Sequence, residues 1–438
     1  PVTLTLLSGP ASLSGGTLTL TGATGTVTVR AEQSGDANFL AATPVERSFQ
    51  VVSIYDAVVE KVIDLTNELG RDIRDEFVTG LDGNLYGVAG SGGQHNGGTF
   101  FRISTTGEFT VLVHFEETTT GSGPSGKPAR DAAGNFYVTT QYGGNNGSGT
   151  LLRVTPAGTV TVLHHLSDSP SDVNYLTGGV ILGADGHLYG LGNGKLVRFT
   201  TSGSLSILLS TSFGGRYLTQ VTDGSFYSAS ENGGSNYGDV WKFTPPGDEF
   251  GSWISQLLRT VGFDDPAGTN PGTRLLRAAD GQLYGGTWYA GPMGQGSFYR
   301  LNPDGSDTVV AGLDYSTTGT PLAGTPLQLA DGSFVFPAIN GGANESGTLL
   351  RVTSAGVVTK LHDFATNFGR PANGLAADAQ GALYGSGMVE SPNHSTIYRV
   401  EFGVVLESVI GISGNGQSIA NGDSSPDTAD HTSFGSTS

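Results

Sequence analysis

The 438 residues carry 39 acidic and 21 basic side chains, a net charge of −18, with 70 glycines and no cysteine. The missing cysteine excludes disulfides, thiolate metal sites and a cysteine nucleophile, and the acidic balance argues against nucleic acid or an anionic membrane as partner. There is no Gly-X-Y period and no run of about 18 apolar residues, so the composition encodes neither a collagen helix nor a spanning helix. The glycines belong to turns, and the expected class is all-β. Tyr55 to Glu76 is the only charged, helix-like stretch.

In chain order, TLTLTGATGTVTVRAEQSGDANFLAATPVERSFQV at Thr17 to Val51 resembles the last half of a bacterial Ig-like β-sandwich, which assigns residues 1–52 to such a module. A repeat region over 53–403 follows. One phrase of it reads Asp82-Gly-Asn-Leu-Tyr-Gly87 and returns from Ala133, Asp185, Asp223, Asp280, Asp331 and Gln380. A second reads GTFFRIS from Gly98 and returns as GTLLRVT from Gly149, then from Gly194, Gly238, Gly296, Gly347 and Ser395. Each Asp-Gly pair reads as a two-residue type I′ hairpin turn. A second tight turn and a further apolar strand complete each unit. Seven units of four antiparallel strands predict a seven-bladed β-propeller. The seventh lacks an outer strand of its own. Val58 to Thr66 aligns with Val160 to Leu166 and is expected to fill that place, closing the ring.

The Leu-Tyr-Gly strand, the double glycines (Gly92-Gly93, Gly143-Gly144, Gly233-Gly234, Gly341-Gly342) and the G-T-h-h-R-h strand resemble the GloVer tandem repeat. Kelch repeats share the double glycine, but their downstream Trp is missing here. The resemblance implies a large exported bacterial protein, secreted or held at the cell surface, of no assigned activity. Ile410 to Phe434 resembles the opening of a choice-of-anchor or Ig-like module over 404–438. With no signal-peptide pattern after Pro1 and both flanks read as cut short, a monomer within a longer multidomain chain is expected.

Function is expected on the face built from the long loops, including Gly90 to Gly98, Gln141 to Gly149, Glu231 to Gly238 and Gly286 to Gly296. Blade five carries Trp288 and Tyr289 there. Aromatic faces beside amides suit a sugar ring, so Trp288, Tyr289, Tyr142, Asn145, Asn146, Tyr237 and Asn344 are the ligand-binding candidates. Blade four enlarges the opposite face through Pro245 to Ser255 with Trp253, read as a domain contact.

The cation recurring in every copy (Arg102, Arg153, Arg198, Lys242, Arg300, Arg351, Arg399) reads as packing between blades. The repeated tyrosines read the same way, and the glycine after four of them as room for the adjacent blade. No catalytic motif occurs, and the eight histidines are scattered. Asp72, Asp75, Glu231, Asp264 and Asp265 are the catalytic candidates, with Glu76, Glu116 and Glu117 beside them, for acid–base glycoside cleavage. The same carboxylates with loop carbonyls could instead hold Ca²⁺, the one cofactor considered. The leading expectation is a non-catalytic scaffold binding a polysaccharide or a protein on the long-loop face. The alternatives are a polysaccharide hydrolase or lyase in the central funnel, and a spacer.

Overall fold

The computed structural model describes residues 3–14, 17–20, 25–35, 41–51, 55–73, 75–210, 215–231, 237–247, 251–389, 394–404, 412–414 and 417–419. The chain divides into two compact units, Ala57–Phe402 and the two ends together. In the terminal unit, Thr3–Ser8, Gly25–Gln33 and Ala42–Val51 form a three-stranded sheet, and Ala11–Ser14 pairs with Thr17–Leu20. Of the expected C-terminal module, only the strands Ile412–Gly414 and Gln417–Ile419 fall among the described residues. The double glycine at 233–234 lies outside them.

The large unit is a β-propeller. Among the described residues its sheets span 78–114, 122–165, 180–210, 219–260, 276–312, 320–363 and 370–404. The first five are meanders in which each strand pairs with its successor, and in the last two a pair of short inner strands share one partner. The seventh sheet takes Tyr55–Leu65 as its outer strand. The charged stretch that looks helical in sequence is therefore a strand at its start, and it closes the ring. Helical structure among the described residues is limited to one 3₁₀ turn, Thr366–Phe368.

Strand alternation explains how the ring holds together. Successive side chains point to opposite faces of a sheet, and each face here meets a different neighbour. Leu85 and Phe101 pack toward blade seven with Ala376, Tyr384 and Ile397. Tyr86 and Phe100, one position along, pack toward blade two with Phe136, Val138 and Leu152. Seven such apolar clusters occupy the seven seams. Because both faces are covered, Leu85–Ala89 and Phe226–Ser230 are buried at every position. The first reads as a continuous apolar run, while the second buries Ser228 and Ser230.

The repeated tyrosines serve these seams. The Tyr86 ring centroid lies 4.3 Å from that of Phe136, and Tyr189 and Tyr284 meet Phe226 and Phe334 at 4.6 and 4.5 Å. The Tyr86 hydroxyl donates to Asp82 at 2.9 Å, with matching bonds from Tyr189 to Asp185 and from Tyr284 to Asp280. In blade two the phrase begins with Ala133, and Tyr137 donates instead to Asp131 at 3.0 Å. The recurring cations sit directly across the ladder from these tyrosines, as Arg102 does from Tyr86. Lys242 and Arg399 lie 5.5 and 5.9 Å over the rings of Tyr227 and Tyr384.

Two local expectations are corrected. The Asp-Gly turn is a three-residue hairpin and not a type I′ turn: the Gly83 N–H donates to Gly80 O, and the Gly80 N–H donates to Asn84 O. Of the Asp-Gly pair only Gly83 has positive φ, at 81°. Glycine alone adopts that conformation freely, while Asp82 stays where its carboxylate accepts the Asn84 N–H. The glycine after the tyrosine makes room within its own blade. A Cβ on Gly385 would lie 2.4 Å from the Tyr398 hydroxyl, its partner across the ladder. Trp253, read as a domain contact, packs 5.9 Å from the rings of both Tyr189 and Phe226.

Candidate functional site

The long-loop face carries two cavities. The first is a groove of about 960 Å³ over blades four and five, lined by Tyr237, Phe263, Asp264, Asn270, Tyr289 and Pro292. Phe263 and Tyr289 are 67% and 58% exposed, and Phe263 meets the Tyr237 ring edge-on at 5.6 Å. The loops are held open by main-chain bonds: Asn270 N–H to Tyr237 O, and Thr269 N–H to Tyr289 O. Asn270 Nδ2 donates to the Glu231 carbonyl at 2.8 Å. Asp264 is exposed beside the aromatics, whereas Asp265 is buried, accepting from Arg259 and from the Ala267 N–H.

The second cavity, about 490 Å³, is the funnel mouth, where the inner strands of the ring begin. Asp75, Glu76, Arg216, Tyr217, Glu231, Arg274 and Trp288 line it. Asp75 Oδ2 accepts from the Gly126 N–H at 2.9 Å. Burial, together with the Glu76 charge, pushes the Asp75 carboxyl up despite Arg274, Gly126 and Arg216. Burial also works against ionisation of Glu76, but Arg274, Lys127 and the Thr325 N–H and hydroxyl, each at 2.8 Å, outweigh it. The carboxyl is held below its usual range. Burial pushes the Lys127 ammonium down, with the Glu76 charge opposing, and pushes Glu231 up against the nearby Arg216. Arg274 and Arg216 lie 4.9 and 5.4 Å from the Tyr217 ring centroid.

The sequence candidates thus separate. Trp288, Asp75, Glu76 and Glu231 reach the funnel; Tyr289, Tyr237, Asp264 and Asp265 line the groove. Tyr142 is exposed but lines neither cavity. Two of the amide candidates, Asn146 and Asn344, are engaged internally through their side chains, and Asn145 through its main chain. Asn146 Nδ2 donates to His165 O and Asn344 Nδ2 to Phe364 O, both at 3.2 Å, and the Asn145 N–H donates to His165 Nδ1 at 3.1 Å. Asp72 has φ 72° and donates its N–H to Ser395 Oγ at 2.9 Å, away from both cavities. Glu116 accepts from the Thr119 hydroxyl, and the Glu117 carbonyl accepts the Gly144 N–H. Among the described residues no group of three or more His, Asp or Glu converges to hold a metal ion.

Sequence reasoning missed the funnel's basic side. Glu76, Lys127, Gly179, Tyr217, Arg274, Thr325 and Gly374 occupy one position of the seven copies, six residues ahead of Asp82, Ala133, Asp185, Asp223, Asp280, Asp331 and Gln380. This position varies from copy to copy, and its Glu76, Tyr217 and Arg274 line the funnel. That variability was the available signal.

The model of the Gloeobacter/Verrucomicrobia repeat family matches residues 52–201 and 191–400. A comparison with curated protein sequences gives no match. Among solved structures, virginiamycin B lyase from Staphylococcus aureus superposes with a TM-score of 0.52 at 15% identity, over 78% of this chain and 99% of its own. A gluconolactonase from Xanthomonas campestris gives 0.38 at 17% identity, over 64% and 86%. Dipeptidyl peptidase 4 from Porphyromonas gingivalis gives 0.41 at 10%, over 76% and 53%. The likeness to the lyase is one of fold alone.

Proposed function

The chain belongs to the Gloeobacter/Verrucomicrobia repeat family, and from that premise we propose a non-catalytic propeller scaffold of an exported bacterial surface protein that binds a glycan in the groove over blades four and five. The observation that carries this reading is the aromatic lining. Tyr237, Phe263 and Tyr289 flank one open groove, two of them more than half exposed. Apolar ring faces left in water favour a ligand with its own apolar face, and a sugar ring offers C–H groups on one side and hydroxyls around its edge. Asp264, exposed in the same groove, supplies an acceptor for those hydroxyls. The −18 charge and the lack of cysteine suit an exported, soluble surface.

The test is retention of the 438-residue chain on a panel of neutral and acidic polysaccharides, with product release followed in the same wells. Retention without products, lost on Tyr289→Ala and on Phe263→Ala, supports the reading. Retention unchanged in both variants contradicts the groove, and binding of a protein in place of every glycan contradicts the ligand class.

A second reading, hydrolysis or elimination in the funnel, is favoured by one observation. Adjacent carboxyls Asp75 and Glu76 are pushed in opposite directions, as an acid and its charged companion require. Glu76 is nevertheless committed to Thr325. Products released by the wild type and not by Asp75→Asn would establish this reading over the first.

A further inference from the structure

The funnel holds two guanidinium groups with unmet hydrogen-bonding capacity. Arg274 donates from Nη2 to Gly178 O at 3.3 Å, while its Nε is buried without a partner. Arg216 is exposed to the cavity and, among the described residues, makes no hydrogen bond or ion pair; its contact is with the Tyr217 ring. A guanidinium carries five donors in a fixed planar fork. Arg216, stacked with Arg274 on one tyrosine, therefore keeps its donors available to a cavity within the usual size range of small-molecule sites.

Carboxylates facing the same space do not use these donors. Glu76 accepts from Thr325, and Asp75 accepts from Gly126. Burial biases Asp75 and Glu231 toward their neutral forms. Arg274 already stabilises the charged Glu76. The donors of Arg216, reinforced by the nearby Arg274, are thus what is left for a ligand, on a protein whose net charge is −18. Apart from Arg370, the rest of the wall is apolar or aromatic, with Trp288, Leu322 and Met388. Such a wall suits a ring with a C–H face and suits a bare inorganic oxyanion poorly.

We propose that the funnel mouth is a second binding site, separate from the groove, for the carboxylate of an acidic sugar held by Arg216 and Arg274 with its ring beside Trp288. The free sugar acid and the end of an acidic polysaccharide share this chemistry. A forked guanidinium engages both carboxylate oxygens, and galactose, which lacks the carboxylate, leaves the fork unpaired.

Calorimetric titration of the whole chain with galacturonate, trigalacturonate, galactose and inorganic sulfate tests it. Galacturonate is expected to bind at least about tenfold more tightly than galactose. Arg216→Gln, which removes no protein hydrogen bond, is expected to lower that affinity about tenfold with an unchanged melting temperature. Trp288→Ala weakens it, and Tyr289→Ala leaves it unchanged. Tighter binding of the trimer identifies a polymer end as the source; equal binding identifies the free acid. Galactose binding as well as galacturonate, sulfate displacing galacturonate at equal concentration, an Arg216→Gln affinity equal to wild type, or no saturable galacturonate binding at millimolar concentration each overturns the proposal.

Discussion

Trp288 and Tyr289 are neighbours in sequence, with ring centroids 6.4 Å apart and planes tilted by 69°, yet Trp288 lines the funnel and Tyr289 the groove. The strand preceding them, Leu283–Gly286, ends at the rim, and the chain turns outward there. A double substitution would strike both cavities at once. The single variants are expected to separate: Tyr289→Ala reduces retention on a neutral polysaccharide, and Trp288→Ala leaves that retention intact while weakening acidic ligands of the funnel. Retention assays on both variants check this, and equal loss in both would contradict two independent sites.

The seam tyrosines set the alkaline limit of stability. Burial and the hydrogen bond to Asp82 push the Tyr86 phenol up to about 12, and Tyr137 and Tyr189, bonded to Asp131 and Asp185, likewise reach about 12. A folded value above the unfolded one near 10 gives stability that is complete below pH 10 and lost as pH rises toward 12. Denaturation midpoints are expected to fall across that window. The Tyr86→Phe/Tyr137→Phe/Tyr189→Phe variant should show a shallower fall, and an equal slope would contradict the assignment.

Packing at one seam has a size. Tyr86→Phe loses a hydrogen bond to a charged acceptor and is expected to cost about 1.5–3 kcal/mol. Phe136→Ala, which empties a site packed against Tyr86 and Phe100, is expected to cost about 3–5 kcal/mol. Urea unfolding checks the order. A larger cost for Tyr86→Phe would mean that the turn bond, and not the seam, dominates.

Much of this was legible in the sequence. The strand phrases repeat because every seam asks for the same alternation, so Leu85, Tyr86 and their equivalents announce a blade, and the alignment of Val58 to Thr66 with Val160 to Leu166 announces the closing strand. The sites were harder to read. Asn146 and Asn344 look like ligand amides, but the carbonyls at the end of their outer strands need a donor, and they supply it. Arg216 and Arg274 went unread because they belong to no phrase. Their convergence on Tyr217 depends on the ring bringing blades four and five together, and spacing along the chain does not report it.

Turn glycines divide by what surrounds them. Gly203 has φ +98°, and a Cβ there would lie 2.2 Å from the Leu163 carbonyl oxygen of the preceding blade. Gly281 has φ +81° with nothing within 4 Å. Gly281→Ala is expected to cost about 1–2 kcal/mol, the left-handed penalty alone, and Gly203→Ala clearly more. Thermal unfolding of the two variants gives the comparison, and equal losses would contradict the close approach of blades two and three.

Asp75 is held above the usual carboxylate range, so its ionisation weakens the fold as pH rises through the folded value. Asp75→Asn keeps an acceptor for the Gly126 N–H and removes that penalty. The variant is expected to be more stable than wild type at neutral pH and equal to it below about pH 3.8, the ordinary aspartate value, where both forms are neutral. A variant less stable at neutral pH would show that the ionised Asp75 stabilises the funnel.

The most direct measurement is retention of the 438-residue chain on immobilised polysaccharides, run beside Tyr289→Ala with soluble products quantified. Retention on a glycan, no product, and loss of retention in the variant are the predicted results. Product release by the wild type, or a Tyr289→Ala variant that binds as well as the wild type, would contradict a non-catalytic glycan scaffold seated in the blade four and five groove.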